Sequence, residues 1–84
     1  MEKKIDYKKS VIKDLKRIDH SFQVKLVNQL EKELSENAFA GKPLKGAYKG
    51  LFSLRIGDYR VIYTIAQKSV LVLRISHRKD VYDY

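Results

Sequence analysis

Cysteine and tryptophan are absent from the 84 residues, proline occurs once and glycine four times. Without cysteine there is no disulfide, no thiolate nucleophile and no Cys-based zinc site. The longest unbroken apolar run is Val70-Leu71-Val72-Leu73, far short of the roughly 20 residues that cross a bilayer as a helix. Met1 to Asp6 lacks the apolar stretch of a secretory signal. The expectation is a cytoplasmic chain without a membrane partner. A chain of this length buries only about 60–65% of the surface its unfolded form exposes. Deep substrate tunnels and a separate cofactor domain are excluded, and residues 1–84 are expected to form one domain.

Acidic residues are scarce in the second half. Between Asn37 and Lys79 the only acid is Asp58, against Lys42, Lys45, Lys49, Arg55, Arg60, Lys68, Arg74, Arg78 and Lys79. The whole chain carries 18 Lys+Arg against 10 Asp+Glu, a formal charge of +8. Such a balance favours an anionic partner. A hydrophobic fraction of 44% argues against a disordered basic tail.

Periodicity orders the elements. Lys3 to Tyr7 reads as a short strand. Val11, Leu15, Ile18 and Phe22 recur at helical spacing, with a break at Asp19-His20-Ser21, where Asp19 or Ser21 serves as an N-cap. Phe22, Leu26, Val27, Leu30 and Leu34 mark a second helix. Asn37 to Gly50 holds the sole proline and three of the four glycines and reads as a loop. Phe52–Ile56 and Tyr59–Ala66 flank Gly57-Asp58, a two-residue hairpin signal, and Ser69–Ser76 is a third strand rich in β-branched and aliphatic residues. The expected class is α+β, in the order β-α-α-β-β-β, an antiparallel sheet with two helices packed on one face. The direction of the first strand does not follow from the sequence.

The turn fixes a register in which Arg55 opposes Arg60 and Leu54 opposes Val61. Alternation then places Phe52, Leu54, Ile56, Tyr59, Val61, Tyr63 and Ile65 on one side. Ser53, Arg55, Arg60, Ile62 and Thr64 take the other. For the last strand, the register preferred puts Leu71, Leu73 and Ile75 with the apolar set and Arg74, Ser76 and Arg78 with the polar set. A slip by one would bury the arginines. Opposed guanidiniums repel by roughly 1–3 kcal/mol at about 6 Å. An anionic ligand relieves that cost, and arginine is well shaped for phosphate. The plainer alternative is a solvated sheet face whose charges only blunt aggregation.

The run Gly50-Leu51-Phe52-Ser53-Leu54-Arg55-Ile56-Gly57-Asp58-Tyr59-Arg60-Val61-Ile62-Tyr63 resembles the central hairpin of the RelE/ParE toxin superfamily. Ile75-Ser76-His77-Arg78-Lys79-Asp80-Val81-Tyr82 resembles its C-terminal strand and tail, and Lys42-Pro43-Leu44-Lys45-Gly46 the loop before the hairpin. The resemblance implies a RelE-like, microbial-ribonuclease-like fold and the toxin of a type II toxin–antitoxin system. Its partners would be a RelB-like antitoxin, the ribosome and mRNA. On the RelE branch the activity is a ribosome-dependent mRNA endonuclease that cuts in the A site by attack of a 2′-hydroxyl on the scissile phosphate. On the ParE branch it is non-catalytic inhibition of DNA gyrase. A third reading is a degenerate member that binds only antitoxin or RNA. The tail of His77, Arg78 and Tyr82 favours the RelE branch.

Carried over position by position, the resemblance implies catalytic roles for Arg60 (scissile phosphate), Tyr82 (beside the attacking 2′-oxygen) and Arg78, with His77 interchangeable with Arg78 in the tail. RNA contacts are expected from the basic residues Lys45, Lys49, Arg55, Arg74 and Lys79. The family's two strand lysines are replaced here by Leu51 and Ser53. Arginines aimed at a phosphorane stabilise its charge, and histidine has a pKa suited to proton transfer. A tyrosine base needs neighbouring cations to lower its pKa. No cofactor or metal is expected, since His20 and His77 alone make no metal site. Against these roles stand structural ones: Arg60 paired with Asp58, Tyr82 packed on the sheet, and His77 held on the apolar face at a strand end.

Overall fold

A computed structural model describes residues 4–77. In chain order the elements are β1 (Lys4–Tyr7), α1 (Lys9–Lys16), α2 (His20–Glu36), β2 (Lys42–Pro43), a 3-10 turn at Gly46–Tyr48, β3 (Leu51–Ile56), β4 (Tyr59–Ile65) and β5 (Ser69–His77). The five strands form one sheet in the order β1-β5-β4-β3-β2. The expected α+β architecture is present, with two differences. The sheet is mixed, because β1 runs parallel to β5. The loop between α2 and β3 also contributes a two-residue edge strand, pairing Lys42 with Ser53 and Pro43 with Phe52.

The helices lie against one face of the sheet. Val11, Ile18, Leu26, Leu30 and Leu34 pack with Leu54, Ile56, Val61, Tyr63, Val70, Val72 and Ile75 in a single cluster. α1 ends at Lys16, so Ile18 enters the core from the connector rather than from a helix. Asp19 caps the start of α2, its carbonyl accepting the Gln23 N–H at 2.8 Å. The Ser21 hydroxyl donates to the Asp19 carboxylate, which holds that carboxyl below its usual range. β1 is tied to α2 by the Tyr7 hydroxyl, which donates to Glu31. Burial and the adjoining carboxylate push the Tyr7 phenol far above its ordinary value.

The hairpin follows the register read from its turn: Arg55 opposes Arg60, Leu54 opposes Val61 and Ile56 opposes Tyr59. Gly57 adopts φ +58°. Asp58 does not take positive φ, so glycine is needed at the first turn position only, as in a type II′ turn.

β5 departs from the expected register. Its pairing with β4 shifts between Ile62 and Tyr63, so that Ile62 opposes Arg74 while Tyr63 opposes Val72. The extra residue, Leu73, is a bulge. Val70, Val72 and Ile75 are therefore the buried side chains, and Leu71 and Leu73 are half-exposed. The expectation that Leu71 and Leu73 face the helices fails on the N-terminal side of the bulge, where the faces exchange.

α1 explains how the bulged end of β5 is held. β1 pairs only with Ser69–Val72, and among the described residues no strand neighbours the rest of that edge. The Lys8 N–H donates to the Val72 carbonyl at 2.9 Å, the Ser10 hydroxyl to the Leu73 carbonyl at 3.0 Å, and the Ile75 N–H to Asp14 Oδ2 at 3.0 Å. One backbone group and two polar side chains thus complete the strand edge, which would otherwise present unpaired donors and acceptors.

Candidate nucleic-acid interface

The face of the sheet turned away from the helices carries a concavity of about 590 Å³. It is lined by Lys42, Leu44, Ser53, Arg55, Arg60 and Ile62, among others. Strand alternation creates it: Ser53 and Arg55 on β3 share a side with Arg60 and Ile62 on β4. Ile62 is only 2% exposed and gives this basic face an apolar floor. Arg55 and Arg60 are exposed and directly opposed, so their side chains leave the sheet about 5 Å apart. The Arg55 Nε–H reaches the Gly57 carbonyl at 3.4 Å, which leans that guanidinium toward the turn. Arg60 opposes Ser76 on β5. Paired guanidiniums have the charge and shape to grip a phosphate.

Lys42 belongs to this wall, although sequence reasoning placed the loop's RNA contacts at Lys45 and Lys49. The signal was the Lys42-Pro43 dipeptide itself: proline lacks the N–H that a central strand needs and so suits an edge strand, which brings Lys42 opposite Ser53. Lys45 and Lys49 flank the 3-10 turn, are exposed, and do not line the concavity. Leu51 and Ser53, where the resemblance implies lysines, face Thr64 and Ile62.

Two further candidate residues of β5 have other neighbours. Arg74 opposes Ile62 and so stands on the expected side of β5, where it also forms an ion pair with α1: its Nε is 3.3 Å from Asp14 Oδ2. The cause is α1 lying along the bulged edge, where the Asp14 carboxylate, with its side chain only 10% exposed, already accepts the Ile75 N–H. His77 lies on the helix side, opposite Tyr59 with ring centroids 5.0 Å apart and edge to face. Tyr59 in turn meets Phe22 at 5.2 Å. His77 borders a second concavity, of about 260 Å³, with Asp14, Arg17, Tyr59, Arg74 and Ser76. The sheet therefore separates His77 from the Arg55–Arg60 pair. Arg78, Lys79 and Tyr82 lie outside the described residues.

Asp14 serves two neighbours, and its loss should be felt in folding. Asp14→Ala leaves the Ile75 N–H without its acceptor and removes the ion pair with Arg74, which should cost about 2 kcal/mol, or roughly 10 °C in Tm. Asp14→Asn keeps an acceptor for the amide and should lose less. Thermal melts followed by circular dichroism check both, and equal Tm values for parent and Asp14→Ala would refute this role.

A family model for the ParE toxin of type II toxin–antitoxin systems, parDE, matches residues 5–82. The chain belongs to this toxin family. It is 46% identical over 44 residues to toxin RelG of Mycobacterium tuberculosis, covering 50% of this chain and 51% of that protein, so it aligns with about half of that relative's length. Toxin RelE3 of Methanocaldococcus jannaschii is 27% identical over 86 aligned positions, covering 96% of this chain and 97% of the relative. Among solved structures, the toxin–antitoxin complex RelBE2 of Mycobacterium tuberculosis superimposes with a TM-score of 0.86 at 28% identity, over 93% of this chain and 100% of the other. The ParE-family chain thus has a RelE-type fold, with the basic concavity on the sheet face away from its helices.

Proposed function

We propose that this toxin is a ribosome-dependent mRNA endonuclease, restrained by a cognate RelB-like antitoxin that covers its basic sheet face. The observation that carries the reading is the opposed, exposed pair Arg55 and Arg60 above the Ile62 floor. In this reading Arg60 grips the scissile phosphate and stabilises the pentavalent phosphorane as the 2′-oxygen attacks. Arg55 and Lys42 hold the flanking backbone. Arg78, Tyr82 and Lys79 supply the remaining charge and proton transfer from the tail. His77, on the helix side, takes a positioning role through Tyr59. The similarity to a toxin solved with its antitoxin supports the restraining partner.

A second reading, a ParE-like inhibitor of DNA gyrase without catalysis, draws on the ParE family match and on the separation of His77 from Arg60. Primer extension on cellular mRNA after brief induction separates the two. Discrete in-frame cuts are expected, whereas intact mRNA with relaxed or cleaved DNA would establish gyrase as the target. Ribosome affinity should also fall steeply between low and physiological salt, since phosphate neutralisation releases counterions. A flat salt titration would count against a phosphate-gripping face.

A further inference from the structure

We propose that the outer face of α1 is a second docking surface, which takes the phosphate backbone of a folded RNA. The proposal rests on the reading of the chain as an RNA-directed toxin and adds a contact on the opposite side of the sheet from the Arg55–Arg60 concavity. Residues 8–17 contain Lys8, Lys9, Lys13, Lys16 and Arg17 against the single acid Asp14. All five basic residues are exposed, while Asp14 is turned inward onto β5. Lys9, Ile12, Lys13 and Lys16 recur at i, i+3, i+4 and i+7, one stripe along the helix. Seven residues at 1.5 Å rise make the stripe about 10 Å long.

Helix stability does not account for this stripe. Like charges three and four residues apart oppose a helix, and an eight-residue helix is too short to hold itself without packing. Lys13 and Lys16, in the last turn, gain from the macrodipole, but Lys8 and Lys9 stand at the N-terminal end, where it opposes them. No acid occupies the first turn. α2 differs, since Glu31, Glu33 and Glu36 accompany Lys25 and Lys32 along it.

The chemistry favours phosphate over other anionic occupants. The stripe offers one exposed apolar side chain, Ile12 at 51%, too little for a helix seated in a groove or for a lipid surface. Lysines spaced along a rod suit a string of phosphates, which asks only for charge and releases counterions. The stripe belongs to the helix layer, so one extended strand does not reach both it and the concavity. An RNA folded around the protein does.

The test compares the K9Q/K13Q/K16Q triple variant with a K25Q/K32Q/K68Q control of equal net charge, each in the full-length chain. Glutamine has nearly the helix propensity of lysine, so Tm should hold or rise. Affinity is measured across a salt series for ribosomes, a short RNA duplex and a polyglutamate peptide. The stripe variant should bind ribosomes and duplex at least about tenfold more weakly, with a salt slope shallower by about 3, one per lysine. The control should stay near the parent. Unchanged affinity, an equal loss in the control, or a loss of polyglutamate binding as large as that of RNA would overturn the proposal. Should the parent neither bind ribosomes nor cut mRNA, the ribosome reading fails by itself, and the duplex comparison still decides the α1 face: a selective loss sustains it and none refutes it.

Discussion

Replacing Arg60 with alanine is expected to slow mRNA cleavage on programmed ribosomes by about 10²–10³, the loss seen when a donor aimed at a developing oxyanion is removed. Arg60 is exposed on the sheet face away from the helices, opposite Arg55 and Ser76, and belongs to no part of the apolar cluster. Folding should therefore survive the change. Tm should hold or rise slightly, because the guanidinium facing Arg55 is gone. Arg60→Lys separates geometry from charge: it keeps the cation but not the planar fork that grips two phosphate oxygens, so an intermediate rate is expected. If Arg60 instead served Asp58 as a structural partner, the pattern would invert. An Arg60→Ala protein that melts early yet cuts at the parental single-turnover rate would remove Arg60 from the site.

How far such a site can be read from sequence depends on how local its determinants are. The Arg55–Arg60 pairing was legible because two residues, Gly57 and Asp58, set the register of the whole hairpin, and alternation did the rest. The last strand was not. Val70, Leu71, Val72 and Leu73 are all apolar, so no alternation distinguishes the faces, and the Arg74/Ile75 pattern had to be extended backward across them. The bulge at Leu73 invalidates that extension. Its cause is non-local: Ser10 and Asp14 hold the edge of β5 from α1, more than sixty residues earlier in the chain. The Asp14 carboxylate also forms the ion pair with Arg74. The parallel pairing of β1 with β5 is hidden for a like reason, since neither strand carries a turn joining it to the other.

The basic loop shows the intermediate case. Its composition announced a loop and a positive charge, but not which lysine faces the sheet. That choice is made by where the chain re-enters the sheet as β2, and the re-entry depends on how tightly the preceding residues approach β4. Gly41 makes such a close approach. It is buried, its N–H donates to Tyr63 Oη at 2.9 Å, and the Tyr63 hydroxyl donates onward to the Ala38 carbonyl at 2.9 Å. Tyr63 is itself fully buried and stacks on Phe52 with centroids 5.4 Å apart. Burial raises its phenol above the ordinary value, so the hydroxyl stays a donor through the physiological range. Tyr63 thereby joins the end of α2, the loop and the core into one unit whose outer edge presents Lys42 to the concavity.

Gly41→Ala should accordingly be among the most damaging single changes in the molecule. A Cβ built at this position falls 2.7 Å from Tyr63 Oη and 2.8 Å from the Ser53 carbonyl oxygen, closer than real Cβ contacts come. The tyrosine cannot simply swing aside, because its ring is packed in the core, and Ser53 belongs to the backbone of β3. Relief requires the loop to lift, which breaks the Gly41–Tyr63 bond and loosens the pairing of β2 with β3. Overpacking of about 1–3 kcal/mol adds to a buried donor left unsatisfied at about 1–3 kcal/mol. A total near 3 kcal/mol is expected, or roughly 15 °C in Tm, a large share of the stability of a domain this size. Tyr63→Phe removes only the hydroxyl and should cost less alone. In the double variant the alanine no longer meets that oxygen, so the combined loss should fall short of the sum. The Ser53 carbonyl remains in the way and keeps the double variant below Tyr63→Phe. Urea unfolding of the four proteins measures the cycle, and additive losses would mean that Gly41 and Tyr63 do not share one contact.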